Sequence, residues 1–195
     1  PKDDMKELLN ECVQNTFNAI SVDGDTSTND SVFLMTNKKS KAYNKEAFKM
    51  ALNLVMKKLS IDILKDGEGS SKVVAFDVIG AKNNNEAMVC AKALSNSLLV
   101  KTALFGCDPN WGRIASTIGS CGICADSNTL KIYIGGIIVY DCQKIYFENE
   151  EKTAKIMKME DFKITCNLGI GDGKFTAYGC DLGYKYVEIN SDYRS

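Results

Sequence analysis

Glu68 sits in Asp66-Gly67-Glu68-Gly69, one carboxylate between two glycines at the end of a stretch with helical apolar spacing. Flanking glycines let backbone and ligand approach closely, which would leave Glu68 facing a cationic amine. A plain helix C-cap with an exposed Glu has the same spacing. The dinucleotide fingerprint is not completed, because Lys72 stands where its third glycine belongs. Asp23-Gly24-Asp25 with Asp30 suggests calcium. Counted from Asp23, however, Thr28 and Leu34 occupy the EF-hand's Gly and Glu positions. A solvated turn or a substrate-side loop remains. Gly169-Ile-Gly171-Asp-Gly173-Lys174 imitates a phosphate cradle, but Phe175 replaces the required Ser or Thr and Leu168 the leading Gly. A glycine-rich turn between strands accounts for it. Cys107 to Arg113 holds Asp108, Asn110, Trp111 and Arg113 at a capped helix start, whose amides could hold an anion. A core helix with Trp111 packed would look the same.

The chain contains no histidine, so a Ser-His-Asp or Cys-His mechanism cannot be built from it. Acid or base groups must be carboxylate, Lys, Tyr, Cys or an α-amine, or come from a partner. Cys121-Gly-Ile-Cys124 lacks two further ligands nearby and follows an apparent helix, which argues against zinc and against redox chemistry. Cys12, Cys90 and Cys166 lie in periodic apolar stretches, and the eight cysteines read as reduced thiols. The 24 basic and 25 acidic residues give a net charge of −1, which recommends neither nucleic acid nor an anionic membrane. No apolar run nears the roughly 20 residues of a membrane span, and no signal sequence opens the chain. A soluble, cytoplasmic protein is expected.

These groups need a scaffold, and 195 residues suffice for a proper core. Asp4 and Glu7 form a capping box for a helix over 5–20, with Leu9, Cys12, Val13, Phe17 and Ile20 on one face. A strand is expected over 31–36. Asn44 caps a helix whose face is Phe48, Leu52, Val55, Leu59 and Ile63, ended by the glycines around Glu68. The alternation of Val74, Phe76 and Val78 predicts a strand over 72–79, and Asn83 with Glu86 a helix to about Leu98. Residues 99–106 read as a strand, followed by a helix with Asp108 as N-cap, Pro109 as first residue, and Ile114 and Ile118 inward. A strand meander over 129–148, a helix over 150–158, strands near 161–167 and 173–179, and a helix from Asp181 (Leu182, Tyr186, Ile189) complete the chain. The class is mixed α/β, with layered sheets and packed helices.

Three long segments then resemble one family: TFNAISVDGDTSTND over 16–30, LVKTALFGCDPNWGR over 99–113 and CDLGYKYVEINSDYRS over 180–195. They are similar to the signatures of the glutamate N-acetyltransferase (ornithine acetyltransferase) family of arginine biosynthesis, in the same order and over almost the whole chain. The resemblance implies a self-cleaving precursor whose halves remain together as α and β subunits, usually a heterotetramer. Residues 1–195 would be the β subunit, in a fold like that of self-cleaving aminopeptidases. A Thr at the β-subunit N-terminus, expected just before Pro1, would be the nucleophile, with its own α-amine as base. The acetyl group of N-acetylornithine would pass to glutamate through an acetyl-enzyme. No cofactor is implied, although acetyl-CoA serves some members as a substrate. An α-amine titrates at about 7.7–8.0, which suits a chain without His. The family's substrate-binding Glu falls on Glu68, its C-terminal Asn on Asn190 and its final Thr or Ser on Ser195. No metal is implied. Cys107 and Gly183 depart from the charged residue and Thr often found there, which bears on local packing.

Overall fold

A computed structural model describes residues 2–40 and 42–192. Helix α1 (Lys2–Gln14) and strand β1 (Ile20–Ser21) lead to the long α2 (Lys45–Lys65). Then come β2 (Val73–Ala81), α3 (Asn84–Asn96), α4 (Leu98–Phe105) and α5 (Trp111–Ser120). The meander β3 (Lys131–Ile134), β4 (Ile137–Asp141) and β5 (Lys144–Ile145) precedes α6 (Glu150–Ile156), β6 (Asp161–Asn167), β7 (Gly173–Cys180) and α7 (Tyr184–Asp192). The expected α/β class is observed.

Among the described residues the strands form one seven-stranded sheet, ordered β1-β7-β2-β6-β3-β4-β5. β2 lies near its middle, parallel to β6 and antiparallel to β7. The alternation read in β2 sets the core, because successive side chains leave opposite faces of a strand. Val74, Phe76 and Val78 are fully buried and join Ile164 and Cys166 of β6 and Ile132 and Ile134 of β3. Ala87, Cys90, Ala91 and Leu94 of α3, Val100 and Leu104 of α4, and Ile114 and Ile118 of α5 pack into the same core. The opposite sheet face is polar: Asp77 accepts from Thr176 at 2.9 Å and pairs with Lys163 at 3.6 Å. α2 covers this face over β1, β7 and β2, where Lys57 Nζ stands 3.1 Å over the Tyr178 ring. Burial draws the Lys57 amine down to about 8.

Asn44 and Asn83 cap α2 and α3 as expected, accepting from Ala47 and Glu86 amides at 2.9 Å each. Several readings need correction. The first helix includes Lys2, so Asp4 and Glu7 lie within it and form no cap; Asp4 accepts instead from Tyr43 OH at 3.0 Å. The first helix stops at Gln14, where buried Thr16 donates to the Cys12 carbonyl at 2.7 Å and Ile20 pairs with Tyr178 instead. A hydroxyl bonded back to the i−4 carbonyl, followed by sheet pairing, outcompetes helical continuation. Residues 31–36 form no strand among the described residues; Phe33 and Met35 are exposed and nothing pairs with them. Residues 99–106 belong to α4, capped by Ser97, whose Oγ accepts from Val100 N at 3.4 Å. A short apolar run fits helix or strand by periodicity, and the cap decided. Asn110, not Asp108, caps α5, accepting from Arg113 N at 3.1 Å, because Cys107 at φ 53° first turns the chain. The α2 stripe exists, but Met56, Ser60 and Leu64 face inward while Val55, Leu59 and Ile63 are exposed.

Candidate functional site

α2 ends at Lys65, and its last carbonyls are answered by the turn that follows. Asp66 N donates to Asp62 O, Gly67 N to Leu64 O at 3.2 Å, and Ser70 Oγ to Leu64 O at 3.1 Å. The turn leaves Glu68 exposed at its tip. Gly69 next to it adopts φ +68°, a left-handed conformation that favours glycine. A Cβ on Gly69 would lie 2.7 Å from both Lys185 Cβ and Tyr186 N, so α7 runs directly against the turn.

That approach brings the two ends of the chain's chemistry together. Asn190 lies one helical turn beyond Tyr186, and its Nδ2 donates to Glu68 Oε2 at 2.7 Å and to Tyr186 O at 3.0 Å. Tyr186 OH donates to Asp23 Oδ2 at 3.0 Å, drawing the Asp23-Gly24-Asp25 loop to the same spot. Burial, and secondarily the Asp23 carboxylate, push the Tyr186 phenol up, so it stays a donor. Asp23 Oδ1 in turn accepts from Asp25 N at 2.9 Å. Glu68, Asp23 and Asp25 thus gather negative charge about one rim, an environment that favours an ammonium group. Ser195 lies outside the described residues.

Tyr186 was read from sequence only as an apolar helix position, and its hydroxyl contact was missed. Asp181, read as a helix start, is also missed; it is almost fully buried between β7 and α7. An acidic residue directly after an apolar strand was the available signal.

The remaining motifs are packing devices. Gly173 presses on the α3 cap, where a Cβ would come within 2.2 Å of the Asn83 backbone. Cys121 ends α5, Cys124 is exposed, and no metal-binding cluster occurs among the described residues. Trp111 stacks on Tyr140 with ring centroids 5.0 Å apart, and Arg113 Nη1 donates to Leu99 O at 2.8 Å. A cleft of about 220 Å³ opens beside Trp111, lined also by Asp108, Phe147 and Glu150, and neither Glu68 nor Asn190 reaches it. Among the described residues, no single helix is long and apolar enough to cross a membrane.

The family model described as "ArgJ family" matches residues 1–195. The chain is 62% identical over 197 residues to the arginine biosynthesis bifunctional protein ArgJ of Wolinella succinogenes, covering 100% of this chain and 50% of that protein. It is 41% identical over 202 residues to the glutamate N-acetyltransferase of Methanopyrus kandleri, covering 97% of this chain and 52% of that protein. The chain therefore spans about half the length of the curated relatives it matches. A crystal structure of the arginine biosynthesis bifunctional protein ArgJ from Bacillus halodurans superposes with a TM-score of 0.93 at 38% identity, covering 99% of this chain and 94% of that one.

Proposed function

The chain belongs to the ArgJ family, and we propose that it is the second-half (β) subunit of a glutamate N-acetyltransferase that carries acetyl from N-acetylornithine to glutamate. The observation that carries this reading is the 2.7 Å contact between Glu68 and Asn190, two residues 122 apart in sequence. Two segments so distant converge on an exposed carboxylate held ready by an amide. Glu68 receives the cationic amine of N-acetylornithine, and the Asn190 amide holds the carboxylate in place and supplies a second polar contact. Ser195, which the resemblance makes a further substrate contact, belongs to the same proposal.

Among the described residues of this rim, Glu68, Asp23, Asp25 and Asn190 offer no attacking group. Cys107, the thiol nearest a helix start, donates to Met157 O at 3.4 Å and lies 3.3 Å from Lys72 Nζ, tied into the packing. The attacking group in this reading is a Thr from the remainder of the precursor, with its α-amine as base. It adds to the acetyl carbonyl, ornithine leaves, and the resulting acetyl ester is taken by the amine of glutamate. The first-half (α) subunit supplies the oxyanion hole, and the assembly is a heterotetramer working in the cytoplasm without cofactor or metal. Acetyl-CoA is a further acetyl donor to be assayed.

Hydrogen bonds to a charged group contribute about 1.5–3 kcal/mol, so Glu68→Gln in the two-subunit protein should weaken use of N-acetylornithine roughly 10- to 150-fold. Acetyl transfer to glutamate and release to water are measured side by side. Wild-type kinetics in the Gln variant, or hydrolysis without transfer, would overturn the proposal.

A further inference from the structure

Asp181 follows the last strand of the sheet and is 2% exposed. A carboxylate buried so deeply needs donors to replace water, and its donors all come from one place. Oδ1 accepts from the backbone N–H groups of Ser71 at 2.7 Å and Lys72 at 2.9 Å, and Oδ2 accepts from the Ser71 hydroxyl at 2.6 Å. Ser71 and Lys72 directly follow the turn that carries Glu68. Asp181 itself stands three residues before the first residue of α7, the helix that carries Asn190.

The same junction is gripped from the other side. Lys101, fully buried in α4, donates its ammonium to Cys180 O at 2.5 Å, and Leu182 N donates to Lys101 O at 3.2 Å. At the foot of α7, Gly183 lies against the Phe105 ring, where a Cβ would come within 2.3 Å of its edge. The roots of both site segments are therefore joined at one side chain, and that side chain is set in a rigid surround.

We infer that Asp181 is a positioning residue of the substrate site: it fixes the root of the Glu68 turn to the root of α7, so that Glu68 and Asn190 meet. The inference rests on the acetyltransferase reading above. A buried carboxylate that served packing alone would change stability when removed and leave substrate affinity untouched.

The test measures KM and kcat for N-acetylornithine in the two-subunit protein for Asp181→Ala, Asp181→Asn, Ser71→Ala, Glu68→Gln and the double variant Asp181→Ala/Glu68→Gln. Asp181→Ala should raise KM about 10-fold with kcat within about 3-fold. Asp181→Asn keeps an acceptor for both backbone amides and can donate to Ser71 Oγ, so it should stay within about 3-fold of wild type. The double variant should fall well short of the product of the two single effects, because both changes act largely on the Glu68–Asn190 contact. If Asp181→Ala does not fold, Ser71→Ala takes its place, with a KM rise of about 3-fold expected from losing one of the three bonds. An unchanged KM in the variant so read, or effects that multiply in the double variant, overturns the inference while Glu68→Gln remains impaired. Wild-type KM in Glu68→Gln is a different failure: it removes the substrate site, and this inference with it.

Discussion

Cys124 and Cys142 both reach solvent, yet they should not react alike. The Asp141 carboxylate accepts from the Cys142 thiol and pushes it up, with burial adding to the effect. A raised thiol pKa means less thiolate near neutrality, and the thiolate is the nucleophile. Iodoacetamide at pH 8 should therefore label Cys142 more slowly than Cys124, with the gap narrowing as the pH is raised. Burial pushes Cys166 up to about 12 and Cys90 higher, so both should label only after unfolding. Peptide mass spectrometry decides, and faster labelling of Cys142 at pH 8 would contradict the Asp141 contact. Residue chemistry of this kind was partly legible in the sequence. Cys12, Cys90 and Cys166 announced their burial by apolar periodicity, and Glu68 announced its exposure by its glycines. Asp181 and Tyr186 did not, because their partners stand 110 and 163 residues away. No local pattern encodes a hydrogen bond that only tertiary folding creates.

Two glycines separate what an element does for the site from what it does for the fold. Gly173→Ala would drive a methyl into the Asn83 backbone at the α3 cap, and overpacking of this kind costs about 1–3 kcal/mol. It should lower Tm and leave KM for N-acetylornithine near wild type. Gly69→Ala combines a φ of +68° with a collision against Lys185 and Tyr186. The left-handed conformation alone costs about 1–2 kcal/mol for a residue with a Cβ. Because the collision pushes α7 off the Glu68 turn, KM should rise several-fold more than in Gly173→Ala at equal loss of Tm. Equal KM in the two variants would show that α7 does not hold the site. Helices with Asn caps and strands with clean alternation were readable from sequence, as α2, α3 and β2 illustrate. α4 was misread because Leu98–Phe105 is apolar but for Lys101 and Thr102 and gives no clear period to choose by. The stretch over 31–36 was misread because β-forming residues there have nothing to pair with.

At the scale of the molecule, Val55, Leu59 and Ile63 belong to the apolar face that the spacing of α2 predicts, and they stand exposed. Leu54 and Met50 on α2, and Tyr184 and Val187 on α7, are exposed as well. Apolar surface on this scale favours association. Residues 1–195 expressed alone should self-associate, and co-expression with the first-half subunit should return a defined complex; light scattering behind a sizing column measures both. A stable monomer at high concentration would remove the case for a partner on α2. The order of the sheet carries a consequence of another kind. β2 is flanked by β7 and β6, and among the described residues β1 pairs only with β7. As the chain leaves the ribosome, β1 and β2 both emerge with bare edges and have no bond to each other. Neither edge of β2 can close until residues 161–180 have been made. Pairings this distant in sequence slow folding and prolong the exposure of unpaired strands. Synthesis of the last fifth of the chain thus completes the sheet at its centre rather than at a margin. The same segment leads straight into α7, so the helix that carries Asn190 can dock only on a sheet that has just closed.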